Sequence, residues 1–405
     1  MDAKSTLGEP RLLISRSALR HNAALIRKIL PPRTRLCAVV KANAYGHGAS
    51  IVAHTLATTH TGQPAPHADL FAVSDLDEAS ALDSLTQPIL VLRPVENVFL
   101  GQHRSRLEHA MRHDWILTVG SATAAGDLAR IALACRLRAN VQVMIDTGMA
   151  REGVPLDAAA ALVSFIRTLP SLRLVALATH FARSEEADHP FTADQLARFL
   201  RCTDPLIARP PNAIARHAAN SAAVFNFPAA CLDMVRPGLA LYGIDPAGKP
   251  TVDRPLRPAL EWLAPIIAIH DIPAGATVGY AQSWRAPANT RVGLVPVGYA
   301  DGYPRSLSSR GTMIVHHKPA PVIGKVSMDM TCIDLTKIPQ SAIGDEATVL
   351  DPDPLSPASV YAIATLADTI PYEILCRIGP RIRRVGIDPV NVSMPPTALT
   401  SVPQA

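Results

Sequence analysis

The stretch 39–48, VVKANAYGHG, carries the most suggestive chemistry in the chain. A lysine at a strand end, Lys41, is a candidate Schiff-base nucleophile once its surroundings disfavour the charged ammonium. Taken alone, it equally reads as an ordinary strand-end cation. The residues after it favour chemistry: Tyr45 offers a hydroxyl, and Gly46 and Gly48 would let backbone N–H groups approach an anion at a helix start. Other reactive types fail on spacing. His316 and His317 lack further ligands at metal spacing and read as surface residues, so no metal is expected. Glu185, Glu186 and Asp188 sit in a polar loop and read as solvated charge. The chain contains no G-x-S-x-G, P-loop or H-E-x-x-H segment.

Lys41 matters only if the fold gathers strand ends around it. Short apolar runs at 36–41, 70–74, 88–92, 115–119, 141–146, 172–180, 215–219 and 234–242 alternate with helix-like stretches such as 156–169 and 192–203. Thr192 is the expected cap of the latter. This alternation predicts a (β/α)8 TIM-type barrel, whose chemistry gathers at the C-terminal ends of its strands. A doubly wound sheet competes, but NAYGHG does not fit the G-x-G-x-x-G of a dinucleotide fold. After residue 242 a Pro-rich connector leads to β-type runs at 260–270, 291–297, 312–316, 320–326, 331–335 and 346–350, with a small helix at 359–365. The expected organisation is α/β: a barrel over 11–245, a mostly β C-terminal domain over 246–392, and a poorly ordered tail at 393–405.

Composition agrees with a large folded protein. The 405 residues are 48% hydrophobic and 18% charged, ample for a core and incompatible with intrinsic disorder. Lys and Arg (39) barely exceed Asp and Glu (34) and are scattered, so nucleic-acid binding is not expected. The 6 cysteines are widely spaced with no C-x-x-C pair, and read as reduced thiols of a cytoplasmic protein. No run is long and apolar enough to predict a membrane span.

KANAYGHG closely resembles the pyridoxal-phosphate attachment segment of alanine racemases. DTGMAREG, THFA, ANSAA, RPGLALYG, VGYADGYPR and GKVSMDM agree with that family in order and approximate spacing, over residues 11 to 385. The resemblance implies a barrel plus β-domain, pyridoxal 5'-phosphate as cofactor, interconversion of L- and D-alanine for peptidoglycan, and a head-to-tail homodimer. A broader amino-acid racemase, or a pyridoxal-phosphate-binding protein with little catalysis, are the alternatives. Proteins of the latter kind lack the β-domain that this chain has.

Racemisation removes the α-proton from one face and returns one to the other, so two groups must flank the α-carbon. The resemblance assigns them to Lys41, which also holds the cofactor, and to Tyr299, supplied by the other subunit. It implies that His180 hydrogen-bonds that tyrosine, and that Arg236 faces the pyridine nitrogen as a donor that discourages ring protonation. The phosphate pocket falls to Tyr45, to Ser221 after Asn220, and to backbone N–H groups around Gly238 and Leu239. Arg151 would orient the substrate carboxylate, Met328 would touch it through its backbone from the partner, and Asp301 and Asp329 would support them. Two positions depart from the family. Pro380 stands where many relatives have a phosphate-contacting tyrosine, which predicts weaker cofactor retention and a wider pocket. Met144 stands where the family often carries a carbamylated lysine, leaving Arg151 without its usual partner; an anion or a neutral polar group is the expected substitute.

Overall fold

A strand that opens the chain, β1 (Arg11–Ser15), alternates intermediate and buried residues and ends on Ser15. The Ser15 hydroxyl accepts the Ala18 N–H and so caps the helix Arg16–Ile29. The computed structural model describes residues 8–58, 67–95, 104–207, 214–251 and 253–388; the expected tail at 393–405 lies outside them. The barrel follows β1. Its strands are β2 (Arg35–Val39), β3 (Leu70–Val73), β4 (Ile89–Val91), β5 (Ile116–Val119) and β6 (Ala139–Asp146), with the two-residue β7 (Val154–Pro155) beside β6. β8 (Leu172–Ala178), β9 (Ala215–His217) and β10 (Met234–Val235) complete it. The order β5-β4-β3-β2-β10-β9-β8-β6 is closed by pairing of β5 with β6, and each pairing is parallel. Strands covered on both faces read as unbroken apolar runs, as LFAV of β3 does, with every residue buried.

The expected strands and the observed ones coincide in place but differ at their ends. The run 234–242 is a strand only at Met234–Val235, because Pro237 and Gly238 turn the chain into a 3-10 segment, Leu239–Tyr242. Thr192 is no cap: the helix Phe191–Thr203 begins after Pro190, and Thr192 is buried inside its first turn with its hydroxyl unpartnered.

The second domain is mostly β. One sheet runs Lys318–Pro321, Thr312–Val315, Glu346–Leu350, Leu260–Pro265, β1, Arg383–Ile387. β1, expected within the barrel span, therefore belongs to this sheet, antiparallel to Leu260–Pro265 and parallel to Arg383–Ile387. Burial of Leu12 and Ile14 and an ion pair from Arg11 to Glu346 hold it there. A second sheet joins Ala268–Ile272, Thr290–Val295 and Thr331–Asp334. The expected single run 260–270 is two strands, because the Ile266 N–H bonds to Asp345 in one sheet and the Ile267 N–H to Leu294 in the other. The helix expected at 359–365 is Val360–Leu366, capped by Ser359. No helix among the described residues is long and apolar enough to cross a membrane.

Candidate active site

β2 ends at Val39, and the chain then makes one left-handed turn from Lys41 to Tyr45. Ala42, Asn43, Ala44 and Tyr45 take φ of 52°, 52°, 55° and 50°. Each such residue costs about 1–2 kcal/mol, so the turn persists only because its surroundings specify it. Glu78 does much of that, accepting the Ala42 N–H at 2.7 Å and the Ser74 N–H at 2.7 Å. Asn43 Oδ1 accepts the Ala49 N–H, and Arg384 Nε donates to the Gly46 carbonyl. At Gly46 a Cβ would lie 2.1 Å from the Leu375 carbonyl oxygen, so no side chain fits. The Gly46 and Gly48 N–H groups are spent on Ala42 and Asn43, and are not offered to an anion as the sequence suggested.

Lys41 is thereby fixed at the C-terminal end of a barrel strand. Burial, and next the nearby Arg151 guanidinium, hold its ammonium below the ordinary lysine range. A larger fraction of neutral amine is what a nucleophile and proton acceptor needs.

Arg236 lies deep in the barrel, 5% exposed, after β10. It donates to His217 Nδ1, to the Thr179 carbonyl at 2.7 Å and to the Ala218 carbonyl at 3.2 Å, and its Nη2 lies 3.4 Å from His180 Nδ1. Burial lowers Arg236 to about 10, so it remains a cation near neutrality. It also keeps its neighbours neutral: burial and then Arg236 push His180 down to about 3, and the same two causes put His217 well below the usual range. His180 thus sits among Arg236, Arg151 and Lys41 within its own chain.

The expected phosphate groups are brought together. Ser221 Oγ is buried and accepts the Gly238 N–H at 2.8 Å and the Ala240 N–H at 3.2 Å, which leaves its own proton free to donate. Leu239 opens the 3-10 segment immediately after Gly238. The Tyr45 hydroxyl meets Gly238 so closely that a Cβ there would lie 2.5 Å from it. Asn220 has a different task. Its Oδ1 accepts the Ala223 N–H and the Ser184 hydroxyl, so it caps the helix Ser221–Asn226.

Around Arg151 the structure shows a partner that the sequence reading did not name. Arg151 is half-exposed and pairs with the adjacent Glu152, a carboxylate of this chain, at 2.7 Å. Met144 is 3% exposed and lines, with Asp146, Met149, Arg151, Glu152 and His180, a small pocket. Asp146 Oδ1 accepts the N–H groups of Gly148, Met149 and Ala150, which shapes the loop that carries Arg151.

Tyr299 and Met328 are brought to each other and not to Lys41. The Tyr299 N–H donates to Ser327 and the Ala300 N–H to Met328. Asp301 accepts the Gly298 N–H, and Arg381 bridges Asp301 and Asp329, which makes both aspartates anchors of this turn. Tyr299 is 42% exposed and Met328 54%. Among the described residues no hydrogen bond, ring contact or ion pair joins either to the Lys41 group.

Three contributors escaped the sequence reading. Tyr372 starts from a short helix, Pro371–Cys376, that was not expected, and its ring lies 5.9 Å from that of Tyr45; burial pushes its hydroxyl up to about 12. Pro380, by contrast, is exposed. Glu78 carried no motif. His47 stood inside KANAYGHG but drew no role. It is fully buried, stacks on Tyr242 at 4.4 Å, and its Nδ1 faces the Tyr45 carbonyl at 2.9 Å and the Ala44 carbonyl at 3.1 Å.

Burial lowers His47 to about 4. Its folded value lies below its unfolded value, so the unfolded chain takes up the proton first. The stability it allows is complete above about pH 6.5 and is lost as pH falls towards about 4, a loss on the order of 3 kcal/mol. His47→Phe keeps a ring against Tyr242 but cannot titrate. Urea midpoints at pH 7.5 and pH 5 should therefore differ less in the variant than in the wild type; equal differences would mean that His47 does not carry this acid sensitivity.

Residues 14–246 match the alanine racemase N-terminal domain family and residues 259–386 the alanine racemase C-terminal domain family. The alanine racemase of Chlorobaculum tepidum is 37% identical over 373 residues, spanning 92% of this chain and 94% of that one. Among solved structures, biosynthetic alanine racemase from Pseudomonas aeruginosa is similar with a TM-score of 0.79 at 33% identity, covering 94% of this chain and 99% of that chain. Alanine racemase from Bartonella henselae, with covalently bound pyridoxal phosphate, gives a TM-score of 0.80 at 28% identity, covering 94% and 100%. With both domain types matched in order and nearly the whole length shared, the chain belongs to the alanine racemase family.

Proposed function

We propose that this protein interconverts L- and D-alanine, with pyridoxal 5'-phosphate held on Lys41, and so supplies D-alanine for peptidoglycan in the cytoplasm. The observation that carries the reading is a half-buried lysine at a barrel strand end, its charge disfavoured, with a buried arginine and a half-exposed arginine around it. The chain suits that cofactor. Ser221 has a free donor beside Gly238, and the absence of a side chain at Gly238 leaves room against the Tyr45 hydroxyl. When bound, pyridoxal phosphate supplies an electron-withdrawing ring that acidifies the substrate's α-proton.

The rest falls to the protein. Tyr45, Ser221 and the turn at Gly238 and Leu239 hold the phosphate, while Arg236 presents donors to the ring nitrogen and, as a buried cation, discourages its protonation. Arg151, oriented by Glu152, holds the substrate carboxylate, and this fork limits the ways the α-carbon can face the bases. Lys41 Nζ takes or returns the proton on one face. For the opposite face, Tyr299 has no contact with the Lys41 group among the described residues of one chain, and Tyr299 of the partner subunit fills that role in a homodimer. Its exposure, and that of Met328 beside it, supports an intersubunit surface.

A purified holoenzyme given L-alanine should form D-alanine, read by a D-amino-acid-oxidase-coupled assay; no D-alanine at saturating cofactor would overturn the proposal. The cradle makes a sharper forecast. Gly238→Ala puts a methyl group 2.5 Å from the Tyr45 hydroxyl and 2.9 Å from its ring carbon. Titration of the apoprotein with pyridoxal phosphate should show binding weaker by about tenfold or more, each decade being about 1.4 kcal/mol. Unchanged affinity would place the phosphate elsewhere.

A further inference from the structure

We propose that Asp83, His109 and His113 form a site for a divalent transition metal, suited to zinc, at the end of the barrel where β4 and β5 begin. Their ligand atoms all lie within 4.8 Å of one another. His109 and His113 are four residues apart, and the His113 N–H bonds to the His109 carbonyl at 3.1 Å, so both imidazoles leave the last turn of the helix Arg104–Arg112 on one side. Asp83 follows the helix Leu76–Ser80, and its Oδ2 is 2.8 Å from His109 Nε2.

An ordinary surface ion pair accounts for Asp83 and His109 but leaves His113 unexplained. The two imidazole rings lie 4.3 Å apart and tilted by 33°, which holds the second ring beside the Asp83–His109 pair. The support beneath them is built. Asp114 takes a left-handed φ of 54°, and the Trp115 N–H returns to the Ala110 carbonyl. Trp115 is thus buried under the cluster, 5.3 Å from the His109 ring and 6.0 Å from the His113 ring, limiting their movement. Two imidazoles, borderline nitrogen donors, joined by one carboxylate suit zinc and its neighbours and not magnesium or calcium. Zinc arms of about 2.0–2.2 Å bring ligand atoms to about 3.4 Å of one another, so small rotations of the exposed Asp83 and His113 suffice, with solvent as the fourth ligand. Asp83 and the histidines lie on segments leading into β4 and β5, away from the strand ends where Lys41 sits. A metal here would clip two outer helices together without touching the catalytic face.

The test uses untagged holoenzyme and Zn2+ alone, with isothermal titration and thermal melting as readouts. The expected result is about one Zn2+ per chain, a melting temperature raised by excess Zn2+, and binding weakened at least about tenfold in both His113→Ala and Asp83→Asn. Racemase rate and melting without metal should stay at wild-type values in both variants, which separates loss of the site from loss of the fold. Zinc binding of wild-type affinity and stoichiometry in the two variants, or no saturable binding by the wild type, would overturn the proposal.

Discussion

Lys41→Ala should abolish racemisation in both directions and prevent covalent retention of the cofactor. The loss should exceed about 10³-fold, because one substitution removes both the attachment point and one of the two acid–base groups. The structure adds a second expectation. The Lys41 ammonium is disfavoured by burial and by Arg151, so its removal relieves a cost. The variant should melt no lower than the wild-type apoprotein, whereas truncation of an ordinary packing residue would lower the melting temperature. Coupled assays from each enantiomer, visible absorbance, and mass spectrometry after borohydride reduction make the measurement. Cofactor still linked after reduction would show that another lysine holds it.

The parts of this fold that were legible in the sequence were those set by local patterning. Unbroken apolar runs such as LFAV marked the barrel strands because both their faces are covered. Position along such a run also placed Lys41 just past the C-terminal end of β2. What escaped depends on chain segments far apart in sequence. Nothing in RLLIS says that β1 will pair with Leu260–Pro265 and Arg383–Ile387. Thr192 has a capping residue's identity, yet Pro190 starts the helix and buries it. The same limit holds in the site. Arg236, Ser221 and Gly238 could be singled out from motifs, but the carboxylate beside Arg151 was its immediate neighbour and was passed over. The expectation looked for a substitute at Met144, where the family has its charge, while in the folded chain a flexible arginine reaches Glu152 directly. Glu78 and Tyr372 were invisible for a different reason: their importance lies wholly in reaching the left-handed turn and the Tyr45 ring from distant elements.

Tyr299→Phe should slow both directions by about 10²–10⁴-fold, with proton abstraction from L-alanine hit hardest and abstraction from D-alanine, assigned to Lys41, less so. The substitution removes one hydroxyl from a residue that is 42% exposed in the single chain, so it should leave the melting temperature of the subunit almost unchanged. That separation of rate from stability follows from how the turn is held. The Gly298–Asp301 contact and the Arg381 bridge to Asp301 and Asp329 fix its backbone without using the Tyr299 hydroxyl. If the tyrosine completes a partner's site, the defect must also be rescuable in trans. Lys41→Ala and Tyr299→Phe chains should each have little activity as homodimers. A heterodimer of the two places one intact Lys41 opposite one intact Tyr299, and carries both lesions in its other site. Mixing under subunit exchange should therefore restore activity to about one working site per heterodimer, with the recovered rate following the heterodimer fraction measured by native mass spectrometry. Heterodimers that form and stay inactive would mean that Tyr299 serves the chain it belongs to, and would overturn the shared site.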